Sequence, residues 1–188
     1  MYSATKYMAG HSDLVMGVLC CKEEHHKALI RTAHNYCASP STDDRYLVLR
    51  GLKTMQLRME KQMANAMVVA NWLKDRPEVE RVINPMLEGD ASHDIYKRDM
   101  TGGASLFGFL LKPCSEKALA AFFNGLTQFG MGYSWGGFES LLIPFNPGRT
   151  VTNWKHDGPN IRIHVGLEHP DDLIADLEAG FKRLKTDG

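Results

Sequence analysis

After Gly51, apolar side chains return every three or four positions, at Leu52, Met55, Met59, Met63, Ala66, Ala70 and Leu73. This spacing puts them on one side of a long amphipathic helix. Upstream, residues 14–21 are a short apolar run and read as a buried strand. Residues 22–36 read as a helix with Ala28, Leu29, Thr32, Ala33 and Tyr36 turned inward, stopped by Pro40. Ser41 and Thr42 offer capping oxygens, and Asp43 and Asp44 first-turn acids, for a further helical stretch at 45–50.

Beyond Pro77 the pattern shortens into units bounded by glycine and proline. Residues 79–83, 106–111, 138–143 and 161–165 read as strands, and 85–103 as loop. The last strand alternates Ile161, Ile163 and Val165 with Arg162 and His164, one set for a core and one for the opposite face. Ser115 caps a helix that runs through Phe123 and ends at Gly125. A final helix opens on Pro170 beside Asp171 and Asp172, with Leu173, Ile174, Leu177, Phe181 and Leu184 along one side. Strands and helices interleave without βαβ repetition, which predicts a long helix leading into an α+β unit.

Composition narrows the function classes. The 188 residues amount to one domain with room for a partial second, and 44% apolar with 23% charged residues is a globular balance. Lys and Arg number 22 against 22 Asp and Glu, so no basic surplus exists to neutralise phosphates, and nucleic acid is not expected as a partner. The apolar runs are too short for a membrane span, and the first residues lack a secretory pattern; a cytoplasmic setting is expected. Cys20, Cys21, Cys37 and Cys114 show no CxxC spacing, so reduced, buried thiols are expected. His25 and His26 point to different faces of any helix and lack an HxxxH or HExxH partner, so no metal site is expected, and the methionine stripe reads as core filling.

Chemistry first suggests itself at Ser3-Ala4-Thr5-Lys6, where two hydroxyls and an amine can hold an anion beside a nucleophile. An SxxK pair also occurs in penicillin-recognising enzymes. Those need SDN and KTG segments, and Lys185-Thr186-Asp187 lacks the glycine. On the residues alone, a polar segment with a solvated lysine is the competing reading. His11 and Asp13 read as turn residues bonded to backbone rather than as props for the lysine, and His164 receives no role.

The context extends the motif. Ser3-Ala4-Thr5-Lys6 is followed by Gly10-His11-Ser12-Asp13 and an apolar run, and further on stand Arg50-Gly51-Leu52-Lys53-Thr54, Tyr133-Ser134-Trp135-Gly136-Gly137-Phe138-Glu139-Ser140 and Ile161-Arg162-Ile163-His164-Val165-Gly166-Leu167-Glu168. In this order the segments resemble the Cys/Met-metabolism (trans-sulfuration) family of pyridoxal 5'-phosphate enzymes. Trp135 and His164 resemble its bacterial-type cystathionine β-lyases.

The resemblance implies an α/β chain forming the C-terminal part of an aspartate aminotransferase-type fold. Residues 1–50 would be a remnant of the large cofactor domain, and 51–188 the C-terminal α+β domain. It implies that Lys6 joins the aldehyde of the cofactor and then serves as a base near Cα, with Ser3 and Thr5 donating to the cofactor phosphate. Arg162 would hold the substrate carboxylate by its planar fork, and Tyr133, Ser134 and Trp135 would shape the substrate side. The expected reaction cleaves cystathionine to homocysteine, pyruvate and ammonia, as in methionine biosynthesis, in a dimer or tetramer. A family member carries before its lysine a large domain with the acid facing the pyridine nitrogen, the aromatic stacked on the ring and the phosphate turn. Two functions are therefore expected as alternatives: a lyase completed by residues outside this chain, or a non-catalytic truncated remnant that acts by association or has lost its role. A third, a metal module built on His11, Asp13, His25 and His26, is remote. Residues 14–21, which pair in the large domain of such enzymes, are expected to be exposed in this chain.

Overall fold

The computed structural model describes residues 1–186. In chain order the elements are β1 (Tyr2–Ser3), β2 (Gly17–Val18), α1 (Glu23–Asn35), α2 (Thr42–Leu52), α3 (Met55–Lys74), β3 (Val79–Ile83), α4 (His93–Asp99), β4 (Leu106–Leu111), α5 (Glu116–Asn124), β5 (Leu141–Pro144), β6 (Asn160–His164) and α6 (Pro170–Thr186).

Four strands form an antiparallel sheet in the order β3-β4-β6-β5. Because strand side chains alternate, Phe107, Phe109, Leu111, Leu142, Ile161 and Ile163 turn to one face and are buried. That face is covered by α3, α5 and α6, which supply Ala66, Val69, Ala70, Leu73, Phe122, Leu173, Leu177 and Phe181 to the same core. Phe181 stacks on Phe122 from α5 and on Trp72 from α3, so one ring ties three helices together. The alternation expected for residues 161–165 is observed, and Arg162 lies on the opposite face, in a row with Ile83, Gly108 and Ile143. The carboxylate of Asp176 on α6 accepts the N–H groups of Thr127, Gln128 and Phe129, anchoring the stretch that leads from α5 into the 131–140 loop.

Ser41 and Ser115 cap α2 and α5 as their sequences predict, accepting from the backbone N–H of Asp44 and Ala118. Residues 14–21 depart from a buried strand. Only Gly17–Val18 pairs, with β1, and the run alternates: Leu14 is buried with Ala4, Ala9 and Val48, while Val15 is 86% exposed and Leu19 59%. A two-residue ribbon offers too little neighbouring surface to cover both faces, and the exposure expected from the resemblance is met in part. Helix α1 buries none of its residues; Leu29 and Ala33 are half-covered, and Ala28, Thr32 and Tyr36 are exposed. The cysteines are free, but Cys20, Cys21 and Cys37 are exposed rather than buried, because they flank this uncovered region. The 85–103 loop contains the short helix α4, and the strand expected at 138–143 begins only at Leu141.

The expected stripe of α3 is rotated. Met55, Met59 and Met63 are half-buried, whereas Arg58, Gln62 and Asn65 are buried. The first half of the helix meets loops rich in backbone carbonyls, which take donors instead of methyl groups. Residue 50 lies within α2, which continues to Leu52.

Candidate active site

Residues 3–10 wind into a tight turn closed by backbone bonds from Lys6 to Ser3, Ala9 to Ala4 and Gly10 to Lys6. Thr5 locks it from outside: its hydroxyl donates to the Met16 carbonyl (3.3 Å) and accepts the Met16 N–H (3.0 Å). From beneath, Arg58 on α3 spreads its guanidinium over the carbonyls of Tyr7 (3.0 Å), Met8 (3.3 Å) and Gly51 (2.8 Å). Burial lowers its affinity for a proton, and three carbonyl acceptors offset that cost. Gly10, at φ +72°, lies against this guanidinium, leaving no room for a side chain.

The turn delivers Lys6 to the 131–140 loop. Its Nζ donates to Ser134 Oγ (2.8 Å) and stands 4.3 Å from the centroid of the Trp135 ring. Arg162 reaches the same ring from β6, with Cζ 5.5 Å from the centroid, and its Nη2 makes long bonds to the carbonyls of Gly132 and Ser134 (both 3.4 Å). Burial depresses the Arg162 pKa, and the Tyr133 phenol partly opposes that. Among the described residues neither Lys6 nor Arg162 has a carboxylate within ion-pair distance. Two cations thus share one indole without an anionic partner, an arrangement suited to a ligand that brings its own negative charge.

The loop itself is held by buried polar groups. Gly136 (φ +80°) presses against the backbone of Lys6 and Tyr7, where a methyl group would lie 2.8 Å from the Tyr7 nitrogen. Its N–H donates to His164 Nε2 (3.1 Å), and His164 Nδ1 meets Ser105 Oγ (2.9 Å), which in turn meets the Tyr7 phenol (3.4 Å). Gln62 donates to the Gly137 carbonyl (2.6 Å), and Asn65 to those of Gly166 and Glu168. Ser12 Oγ donates to Glu139 (2.6 Å), tying the lysine segment to the far end of the loop.

Lys6, Ser134, Trp135 and Arg162 are thus brought together as the sequence suggests. Ser3 is exposed on β1. Thr5, expected to face a phosphate, spends its hydroxyl hydrogen on Met16, and Tyr133 is 79% exposed at the rim. His11 bonds the backbone carbonyl of Ala9, the turn role expected for it. Sequence reasoning missed Arg58, Gln62, Asn65 and Ser105, and noted His164 as a mark of the β-lyase resemblance without giving it a role. For the first three a signal existed: polar residues at i, i+4 and i+7 share a helix face as surely as apolar ones do. No group of three His, Cys, Asp or Glu suited to a metal occurs among the described residues, and no helix among them is long and apolar enough to cross a membrane.

The family model described as Cys/Met metabolism PLP-dependent enzyme matches residues 1–182. A cystathionine β-lyase from Escherichia coli is 39% identical over 97% of this chain and 48% of its own length, and human cystathionine γ-lyase is 40% identical over 97% and 47%. A solved cystathionine γ-synthase from Xanthomonas oryzae superposes with a TM-score of 0.87 at 32% identity, over 99% of this chain and 50% of that one, so the fold is shared with a pyridoxal-phosphate enzyme. The chain spans about half the length of the curated relatives it matches. With a match over nearly its whole length, the chain belongs to the Cys/Met metabolism family of pyridoxal-phosphate-dependent enzymes.

Proposed function

We propose that this chain carries the lysine and substrate-carboxylate side of a carbon–sulfur lyase acting on cystathionine or a similar thioether amino acid, the β-lyase reaction being the one its residues favour. The observation that carries the reading is the pairing of Lys6 and Arg162 around Trp135 with no internal anion to neutralise them. The residues present fit the aldehyde end of pyridoxal phosphate: a half-buried amine, an indole beside it and a hydroxyl at 2.8 Å. Bound there, the cofactor supplies an electrophilic carbon and a ring that accepts electrons.

The chain's own groups then divide the work. Lys6 would hold the cofactor aldehyde through Nζ, and its amine, when free, would be the base that takes the proton from the substrate Cα. Arg162 presents two parallel N–H donors to the α-carboxylate, which fixes that Cα–H relative to Lys6. Trp135, between Lys6 and Arg162, would shape the substrate side, and Ser134 Oγ accepts a Lys6 hydrogen at rest. Ser3 would donate to the phosphate, while Thr5 acts by tying the lysine turn to Met16. Overall, cystathionine and water yield homocysteine, pyruvate and ammonia. The remaining contacts to the ring and phosphate come from the part of the relatives' length that this chain does not match.

A second reading, a domain acting by association, is favoured by α1, whose apolar side is only half-covered. One experiment separates the two. The chain is incubated with pyridoxal phosphate, reduced with borohydride and mapped by peptide mass. Selective addition at Lys6, lost in Lys6→Ala, supports the lyase reading; labelling spread evenly over surface lysines overturns it.

A further inference from the structure

His164 is absent from the roles above, yet it is the most enclosed titratable group near the site. On one side, Nε2 lies 3.1 Å from the Gly136 nitrogen and 3.3 Å from the Gly137 carbonyl. Both cannot be satisfied in one protonation state, since the first needs a lone pair and the second a hydrogen. The neighbours decide between them. The Gly137 carbonyl already accepts from Gln62 at 2.6 Å, whereas the Gly136 N–H has no other acceptor among the described residues. Nε2 is therefore the acceptor, and the ring hydrogen sits on Nδ1, where Ser105 Oγ receives it at 2.9 Å.

We propose that His164 is a positioning residue that, as the neutral Nδ1–H tautomer, clamps Gly136 and so fixes Ser134 and Trp135 against the Lys6 amine, and that its protonation releases the clamp. Gly136 is packed on the backbone of Lys6 and Tyr7, so any shift of its amide moves the adjoining Trp135 relative to Nζ. Adding a proton puts a hydrogen on Nε2, which then repels the Gly136 N–H and turns to the Gly137 carbonyl, competing with Gln62. The groups facing the ring are mixed. Glu139 and Glu168 favour the charged form, Arg162 disfavours it, and Tyr7, through Ser105, is an un-ionised phenol whose own pKa burial raises. Burial outweighs the two acids and holds the imidazole neutral at pH 7, its pKa below the ordinary histidine range.

The inference concerns the geometry of the proposed pocket and is read without cofactor, so failure of pyridoxal phosphate to bind would leave it standing. On the 188-residue chain, histidine 15N spectra report the tautomer, amide exchange reports Gly136, and reductive methylation with formaldehyde reports Lys6. The expected result is an Nδ1–H neutral His164 and a protected Gly136 amide at pH 7. His164→Gln, whose side-chain oxygen replaces the Nε2 acceptor without titrating, retains protection at every pH. His164→Leu exposes Gly136 and speeds Lys6 methylation by at least about threefold, the scale of one lost hydrogen bond. Wild type approaches the leucine variant as His164 protonates. A hydrogen on Nε2 at pH 7, or a Gly136 amide exchanging equally in wild type and in a folded His164→Leu chain, would overturn it.

Discussion

Arg58 is a buried cation whose acceptors are all neutral: three carbonyls and the Thr54 hydroxyl. Those carbonyls belong to the lysine turn and to the end of α2, so the side chain spans two segments that otherwise share little surface. Arg58→Met keeps the hydrophobic stem but leaves carbonyls without donors. Stability should fall by about 2–4 kcal/mol, visible as a lower denaturant midpoint at unchanged slope. His164 makes a pH-dependent contribution of definite sign. Its folded pKa is depressed, so above the unfolded value of about 6.5 neither state binds a proton and stability is full. As pH falls below that value the unfolded chain gains a proton first, and stability is lost until the folded pKa is passed. Between about pH 7.5 and pH 5, wild type should lose more stability than His164→Gln, the difference isolating this group from the carboxylates.

At the scale of elements, the parts readable from sequence are those whose pattern matched their surroundings. β6 alternated because one of its faces meets a core and the other a site, and α5 began where Ser115 offered an oxygen. Ser115→Ala should therefore cost about 1 kcal/mol in thermal or chemical unfolding. By contrast Leu29→Glu on α1, where nothing is buried, should stay within about 0.5 kcal/mol while reducing light scattering from self-association. The pattern misled at α3, where apolar spacing identified the helix but not its orientation. The methionines and the Arg58-Gln62-Asn65 row lie on neighbouring faces, and only the loops opposite decide which is enclosed. Motif resemblance pointed to Lys6, Trp135 and Arg162, which the fold places around one indole. It could not find Ser105, nor give His164 a role, because both act through contacts 28 to 98 residues distant in sequence.

On the scale of the whole molecule, the site joins parts far apart in sequence: Lys6 and Ser134 are separated by 128 positions. The sheet and its three covering helices form first-rank core, with Phe109 and Phe122 fully buried, and the lysine turn rests on that body through Arg58, Gly136 and Tyr7. Weakening the core should therefore loosen the amine without touching it. Phe109→Ala should cost about 3–5 kcal/mol, read as a lower midpoint shared by secondary-structure and Trp-fluorescence melting, as a single cooperative unit gives.

The buried polar face of α3 bears on any effort to make this chain more heat-resistant. Gln62 leaves its carbonyl oxygen without a partner, and an automated search for better packing would replace it, together with Asn65 and Arg58, by leucine or methionine. Such a redesign gains apolar burial along the helix and severs the donors that moor the lysine turn and the backbone at Gly137 and Gly166 to it. The result would be a sturdier scaffold with a wandering lysine, so thermal tolerance and chemical competence are set against each other along a single helical stripe.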